Sequence, residues 1–449
     1  MTGIALAAAL VERGLDPGEM TAKRSLFDLV LSRFVHGRAQ DASNADGYAW
    51  WVPGRLEVFG THTDYAGGRT LVCAVPRGFA VVARARTDGT VRVVDARREQ
   101  DVALAPATSA PYTGWRNYVD VVTRRLARNF PGAALGADIV LASDLPRASG
   151  MSSSSALVVA IASALVRIGE LENRAEWRDN IAGPRDVAGY YACMENGLSF
   201  GTLTGDAGVG THGGSEDHAA IVTGSPGQLA AFAFVPMRAI DVVPLPEQWR
   251  FVLTPSGVAA SKTGTAREAY NRLAGGTQVL LDLWNSASPV AAPSLAAALL
   301  TPVEEPSHSG RTRSPSSDRL RGLVRRSNVA GWSREALERR LDHFIREDAR
   351  IPDAIVAFRV GDPSQLGQLA EGSQADAETL LGNQIAETRA LPRSARALGA
   401  FAARSFGAGF GGSVWALVEH DRAESLARRW HLDAFIARPG PSAVELTAT

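Results

Sequence analysis

Four segments of this chain carry side chains of the kind that do chemistry. The first, residues 54–68, reads GRLEVFGTHTDYAGG, a strand-like run that delivers Thr61, His62, Thr63, Asp64 and Tyr65 at its end, before two glycines. A carboxylate accepts hydrogen bonds from two neighbouring hydroxyls, so this set suits a hydroxyl-rich ligand. It also suits a polar turn in which Asp64 merely caps backbone. The second, residues 145–157, reads LPRASGMSSSSAL and sets four consecutive serines at the head of an apolar helical run. The first N–H groups of a helix lack internal acceptors and sit at its positive end, which favours a phosphate. Serine hydroxyls can also ligate Mg²⁺. A plain N-cap would account for one of the four serines.

The third segment, residues 210–221, reads GTHGGSEDHAAI and presents Glu216 and Asp217 after a glycine-rich bend. A buried carboxylate there could orient a hydroxyl nucleophile. His212 and His218 fit no common zinc spacing. The fourth, residues 406–418, reads FGAGFGGSVWALV and meets GxGxxG through Gly407, Gly409 and Gly412. A helix-like stretch precedes it and a strand follows, the reverse of the order a dinucleotide site requires. No GxxxxGKS or GxxxxGKT occurs, so a P-loop is not supported.

These segments must be held by a sizeable framework. The chain has 449 residues, 45% apolar and 21% charged, which excludes global disorder and suggests two or three domains. Lys plus Arg number 47 and Asp plus Glu 47, a balance that points away from nucleic acid or an anionic membrane as partner. Two cysteines, Cys73 and Cys193, form no CxxC pair; that excludes a disulfide scaffold and fits a reducing compartment, the cytoplasm. No apolar run approaches the ~20 residues of a membrane span. The opening MTGIALAAALVERG lacks a basic residue before its apolar stretch and reads as an amphipathic helix rather than a secretory signal.

Periodicity predicts helices over 22–36, 118–130, 152–167, 186–196, 265–284, 334–347, 353–358, 395–404 and 422–430. It predicts short strands over 72–75, 79–85, 91–94, 137–142, 229–235, 251–254 and 414–418. Residues 286–317, rich in Ser and Pro, read as a mobile loop or insertion with one short helix at 295–300. Strands and helices mix without regular βαβ alternation, so the class is α+β. A boundary near the Pro-containing stretch 236–249 gives an N-terminal domain of residues 1–240 and a C-terminal domain of residues 241–449.

Taken together and in order, the segments resemble the GHMP small-molecule kinases, and among them the galactokinases. Residues 54–68 are similar to the galactokinase signature, in which APGR leads to GEHTDY and a glycine pair. Residues 145–157 resemble the second family motif, PxxxGLSSSAA, and residues 406–418 the third, GxGFGG before a strand. The resemblance spans about residues 25 to 420. It implies a two-domain fold, ribosomal protein S5 domain 2-like in the N-terminal half and ferredoxin-like in the C-terminal half, with the active site between them. It implies an ATP-dependent kinase that makes a sugar 1-phosphate.

By the same resemblance, Asp217 takes the place of the catalytic aspartate and Arg55 that of its partner. Thr61, His62, Asp64, Gly214 and Tyr270 fall at sugar-binding positions. Gly150, Met151, Ser152, Ser153, Ser154 and Ser155, with Gly409 and Gly411, fall at ATP-binding positions, and Ser153 or Ser154 would help hold Mg²⁺. Thr61 stands where galactokinases carry the glutamate that meets the exocyclic end of the sugar. A 6-deoxy sugar, a pentose or a uronic acid is therefore an alternative to galactose, and a sugar- and ATP-binding sensor without turnover is an alternative to a kinase. Glu216 is the rival of Asp217. The expected partners are the sugar and MgATP, in a monomer or small homo-oligomer.

Overall fold

A computed structural model describes residues 1–36, 47–105, 112–146, 149–258, 264–301, 303–307, 310–314 and 316–447. Its centre is a sheet of eight strands: β1 (Tyr48–Phe59), β2 (Arg69–Ala85), β3 (Val91–Asp95), β4 (Gln100–Leu104), β5 (Ala137–Ser143), β6 (Gln228–Ala233), β7 (Arg238–Pro244) and, late in the chain, β14 (Val444–Glu445). The main order is β14-β1-β2-β5-β3-β4, with β6 paired to the far end of β2 and β7 to β6. The chain then enters a second sheet, all antiparallel, in the order β11-β12-β8-β13: β8 is Trp249–Pro255, β11 Ala402–Phe406, β12 Ser413–Glu419 and β13 Phe435–Ala437.

β1 and β2 are buried almost end to end because both faces of their sheet are covered. Trp50, Val52, Leu56 and Val58 point into the main core beneath the apolar helix Ser153–Ile168. Ala49 and Trp51 point the other way, against the helices Gly3–Glu12 and Met20–His36. This is the alternation a strand imposes, with apolar side chains required at every position. Among the described residues no helix is long and apolar enough to cross a membrane.

Several expectations are corrected. The runs 72–75 and 79–85 belong to the single 17-residue strand β2. Pro76 is accommodated because the β1–β2 register shifts between Pro53 and Arg55, where the ladder needs no donor from it. The stretches 334–347 and 353–358 form one 27-residue helix, Arg334–Val360, with Pro352 inside. Leu341 and Phe344 anchor its first half in one core and Ile351, Ile355 and Phe358 its second half in another, and this burial overrides the proline.

Residues 395–404 are not a helix: the helix Ala386–Ala397 ends there and the fully buried β11 follows. The glycine-rich segment 406–418 therefore lies in a hairpin between β11 and β12 rather than after a helix. Strand β7 occupies the first part of the stretch 236–249 read as a boundary, and the passage between the sheets falls within that stretch, between Pro244 and Trp249. Within 286–317, the short helix Leu295–Leu300 is present, but an antiparallel pair, β9 (Val303–Ser307) and β10 (Gly310–Ser314), and the start of the helix Ser316–Arg326 replace the structureless loop.

Candidate active site

A cleft of about 1370 Å³ opens where the two sheets meet. Its walls come from β1, the serine-headed helix, the glycine bend before the Glu216–Thr223 helix and the β11–β12 hairpin, so all four chemical segments reach it. Arg55 lies at its centre. Its side chain is only 5% exposed, and its Nε donates to Asp217 Oδ1 at 2.6 Å while a terminal nitrogen donates to Gly150 C=O at 2.5 Å. The Arg55 backbone N–H meets Met151 C=O at 3.2 Å. Gly54 permits this approach, since a Cβ there would stand 2.7 Å from that carbonyl. Burial alone would lower the Arg55 pKa, but the facing carboxylates of Asp217, Glu216 and Glu57 raise it, so the guanidinium stays charged.

The Ser153–Ile168 helix begins after Ser152, which caps it in a left-handed conformation (φ 55°) without a side-chain cap bond. Ser153 and Ser154 are half-buried and line the cleft. Ser155 is buried; its hydroxyl lies 2.8 Å from Glu195 Oε2 and 3.2 Å from Asp217 Oδ2. Gly150 and Ser152 also line the cleft, whereas the Met151 side chain is packed in the core. The two glycine-bearing loops touch: a Cβ on Gly407 would stand 2.9 Å from Gly150 C=O. From that hairpin Gly407, Ala408 and Gly412 face the cleft. The expected Gly409 and Gly411 do not, and Gly409 is packed on Asn383, where a Cβ would approach to 2.4 Å.

Of the expected sugar-binding residues, His62, Asp64, Gly214 and Tyr270 line the cleft. Asp64 Oδ2 accepts the Glu216 backbone N–H at 3.2 Å, and Gly214 is held so close that a Cβ would stand 2.2 Å from the same oxygen. Burial, followed by the charges of Asp217 and Glu57, pushes the Asp64 carboxyl up to about 6 despite its backbone hydrogen bonds. His62 adopts a left-handed backbone (φ 60°). Its Nε2 donates to Ala408 C=O at 3.1 Å, which leaves Nδ1 to accept from Tyr65 OH at 2.7 Å. Arg340 fixes that tyrosine hydroxyl at 3.0 Å and the His62 carbonyl at 2.6 Å.

Thr61 is placed differently from the expectation. It does not line the cleft. Its hydroxyl donates to Glu57 Oε1 and accepts from Arg404 within a buried cluster. The carboxylate that does line the cleft there is Glu57, one of the functional candidates the sequence reading missed. A charged residue inside an apolar strand was its signal. Glu195, on the helix Pro184–Asn196, is another missed carboxylate of the cleft, and its contact with Ser155 marks it out. Among the described residues no group of three or more His, Cys, Asp or Glu is arranged to hold a metal ion by itself.

Residues 39–85 match the family model of the galactokinase galactose-binding signature, residues 117–191 that of the GHMP kinases N terminal domain, and residues 354–436 that of the GHMP kinases C terminal. The chain is 26% identical over 384 residues to a galactokinase of Actinobacillus pleuropneumoniae, covering 84% of this chain and 87% of that protein. It is 28% identical over 390 residues to a galactokinase of Roseiflexus sp. strain RS-1, covering 85% and 86%. In fold it is similar to Lactococcus lactis galactokinase, solved with galactose, with a TM-score of 0.72 at 20% identity over 94% of this chain and 99% of that one. Methanococcus jannaschii mevalonate kinase follows with a TM-score of 0.56 at 12% identity over 88% and 99%.

Proposed function

The chain belongs to the GHMP kinases, in their galactokinase-like branch, and we propose on that basis that it transfers the γ-phosphoryl group of ATP to the anomeric hydroxyl of galactose or a close relative. The observation that carries this reading is the Asp217–Arg55–Gly150 chain of contacts, which ties a cleft carboxylate to the loop that heads the serine helix. Asp217 accepts the proton of the sugar hydroxyl as its oxygen bonds to Pγ, and the bond from Pγ to the bridging oxygen breaks to release ADP. Arg55 orients that carboxylate and sets positive charge beside the moving phosphoryl group. The helix N-terminus at Ser153, with Gly150 and Gly407 behind it, offers N–H groups to the phosphates.

Mg²⁺ prefers one or two protein oxygens and completes its shell with phosphate and water. The hydroxyls of Ser153 and Ser154 and the Glu195 carboxylate, all on the cleft wall, fit that demand. When bound there, the ion would neutralise charge on the β- and γ-phosphates.

On the sugar side, Asp64 accepts from hydroxyls, while His62 and Tyr270, with ring centroids 5.1 Å apart, form the wall. Glu57 supplies a carboxylate on the side where Thr61 turns away, so an acceptor for a further hydroxyl is retained and galactose is favoured over a 6-deoxy sugar. The scarcity of cysteine supports a cytoplasmic setting. The test is Asp217→Ala. Turnover should fall by about a thousandfold or more while ATP affinity, measured by calorimetry, changes little. Full activity in that variant removes Asp217 from the mechanism.

A further inference from the structure

The mechanism above leaves the Glu216 carboxyl group, beside Asp217 in the cleft, without a task. Glu216 opens the first turn of the Glu216–Thr223 helix, and its backbone N–H is taken by Asp64. Its side chain is 5% exposed and lines the cleft. Its Oε1 is buried and accepts no hydrogen bond. The nearest cation is Arg55, whose Nε lies 3.5 Å away, but the single hydrogen on that nitrogen is directed to Asp217 at 2.6 Å. A buried acceptor left without a donor is costly, and native structures keep such groups where a ligand or water completes them.

We propose that Glu216 is a specificity residue whose carboxyl group takes a hydrogen bond from the sugar hydroxyl next to the one that Asp217 activates. Two further observations support this. Glu216 and Asp217 both reach the same Arg55 nitrogen, so the two carboxyl groups converge on one small part of a bound sugar. Asp64 fixes the Glu216 backbone while itself lining the cleft, so the three acidic side chains form one surface for vicinal hydroxyls. Burial, then the charge of Glu57, raises the Glu216 pKa well above its ordinary value, with Arg55 pulling the other way and Asp64 and Asp217 adding to the rise. In the uncharged form the group can donate as well as accept, so it grips a hydroxyl without adding charge beside the phosphates.

The proposal rests on the sugar-kinase reading, and its test keeps the two apart. Binding of galactose and of 2-deoxygalactose, which lacks the hydroxyl beside the anomeric one, is measured by calorimetry with a non-hydrolysable ATP analogue on the wild-type chain and on Glu216→Ala and Glu216→Gln. ADP release is followed separately. The wild type should prefer galactose by about tenfold or more, the worth of one hydrogen bond to a buried group. Glu216→Ala should bring that preference to within about twofold, and Glu216→Gln, of the same shape, should keep part of it and serves should the alanine variant fail to fold.

An unchanged preference in a folded variant overturns the assignment, as does wild-type protein that binds neither sugar or binds both alike. If binding preference behaves as described but no ADP appears, the kinase reading fails and the role of Glu216 in sugar selection stands.

Discussion

Arg404 joins the two sheets, and its removal has a cost that can be worked out. From β11 its buried guanidinium donates to Ser405 C=O at 2.9 Å, Val58 C=O at 3.2 Å, Glu347 Oε1 at 3.1 Å, Glu57 Oε1 at 3.4 Å and the Thr61 hydroxyl. Burial would push the Glu347 carboxyl up, but Arg404 first, then His343, Arg350 and the Gly60 N–H, hold it at about 2. Relative to its ordinary 4.5, that is worth about 3 kcal/mol at neutral pH. Arg404→Met removes the foremost of these partners and also strands Glu57, whereas Glu347 keeps Arg350 at 2.9 Å.

The expected loss for Arg404→Met is therefore about 3 kcal/mol, at the low end of the range for breaking a buried pair. Urea unfolding at pH 7 reads it as a shift in midpoint with an unchanged slope. Because the native Glu347 pKa is depressed, the stability it contributes is complete above about pH 4.5 and is lost as pH falls toward 2, so the deficit should shrink in acid. Adding Glu57→Gln should restore about 1 kcal/mol by removing the stranded charge. A deficit below about 1 kcal/mol at pH 7, or no recovery in the double variant, refutes the reasoning.

Asp64 works in the opposite sense. Its native carboxyl, near 6 against an ordinary 3.8, holds a proton that the unfolded chain releases, so stability falls by about 3 kcal/mol in all as pH rises through that window. Asp64→Asn should flatten this slope and melt higher than wild type at pH 8 while binding sugar more weakly; parallel melting profiles from pH 4 to 8 would contradict it. Gly214→Ala drives a Cβ to 2.2 Å from Asp64 Oδ2 and should raise the sugar KM on the order of tenfold with ATP affinity kept, which steady-state kinetics and calorimetry check together. Gly407→Ala, at φ 81° and against Gly150 C=O, should show the converse, a weakened affinity for ATP with little change for sugar.

The serine run stands out in the sequence by composition, whereas Arg55 and Asp217 were placed by the family resemblance; the structure brings all three to one cleft although 162 positions separate Arg55 from Asp217. Thr61, placed by the family resemblance, turns away from the cleft for a geometric reason. The β1–β2 register shifts between Glu57 and Phe59, and Gly60 turns left-handed at φ 106°, so the alternation along the strand does not carry through to Thr61. Glu57 and Arg404 are invisible as partners until both sheets are assembled, since their contact is purely tertiary. Choosing which glycine of the β11–β12 hairpin faces the cleft likewise depended on knowing that a strand, not a helix, precedes it. The helices that hold Pro352 and Pro392 differ in their bounds from the periodicity reading because packing, not local propensity, holds them together.

The central claim concerns phosphoryl transfer to a sugar. Purified chain is incubated with MgATP and, in turn, galactose, fucose, arabinose and galacturonate, while ADP is followed continuously and the product is read by phosphorus NMR. The account predicts ADP release that depends on galactose, matched one for one by a sugar phosphate with its phosphorus on the anomeric oxygen. Sugar-dependent binding of ATP with no ADP from any of the four would contradict it.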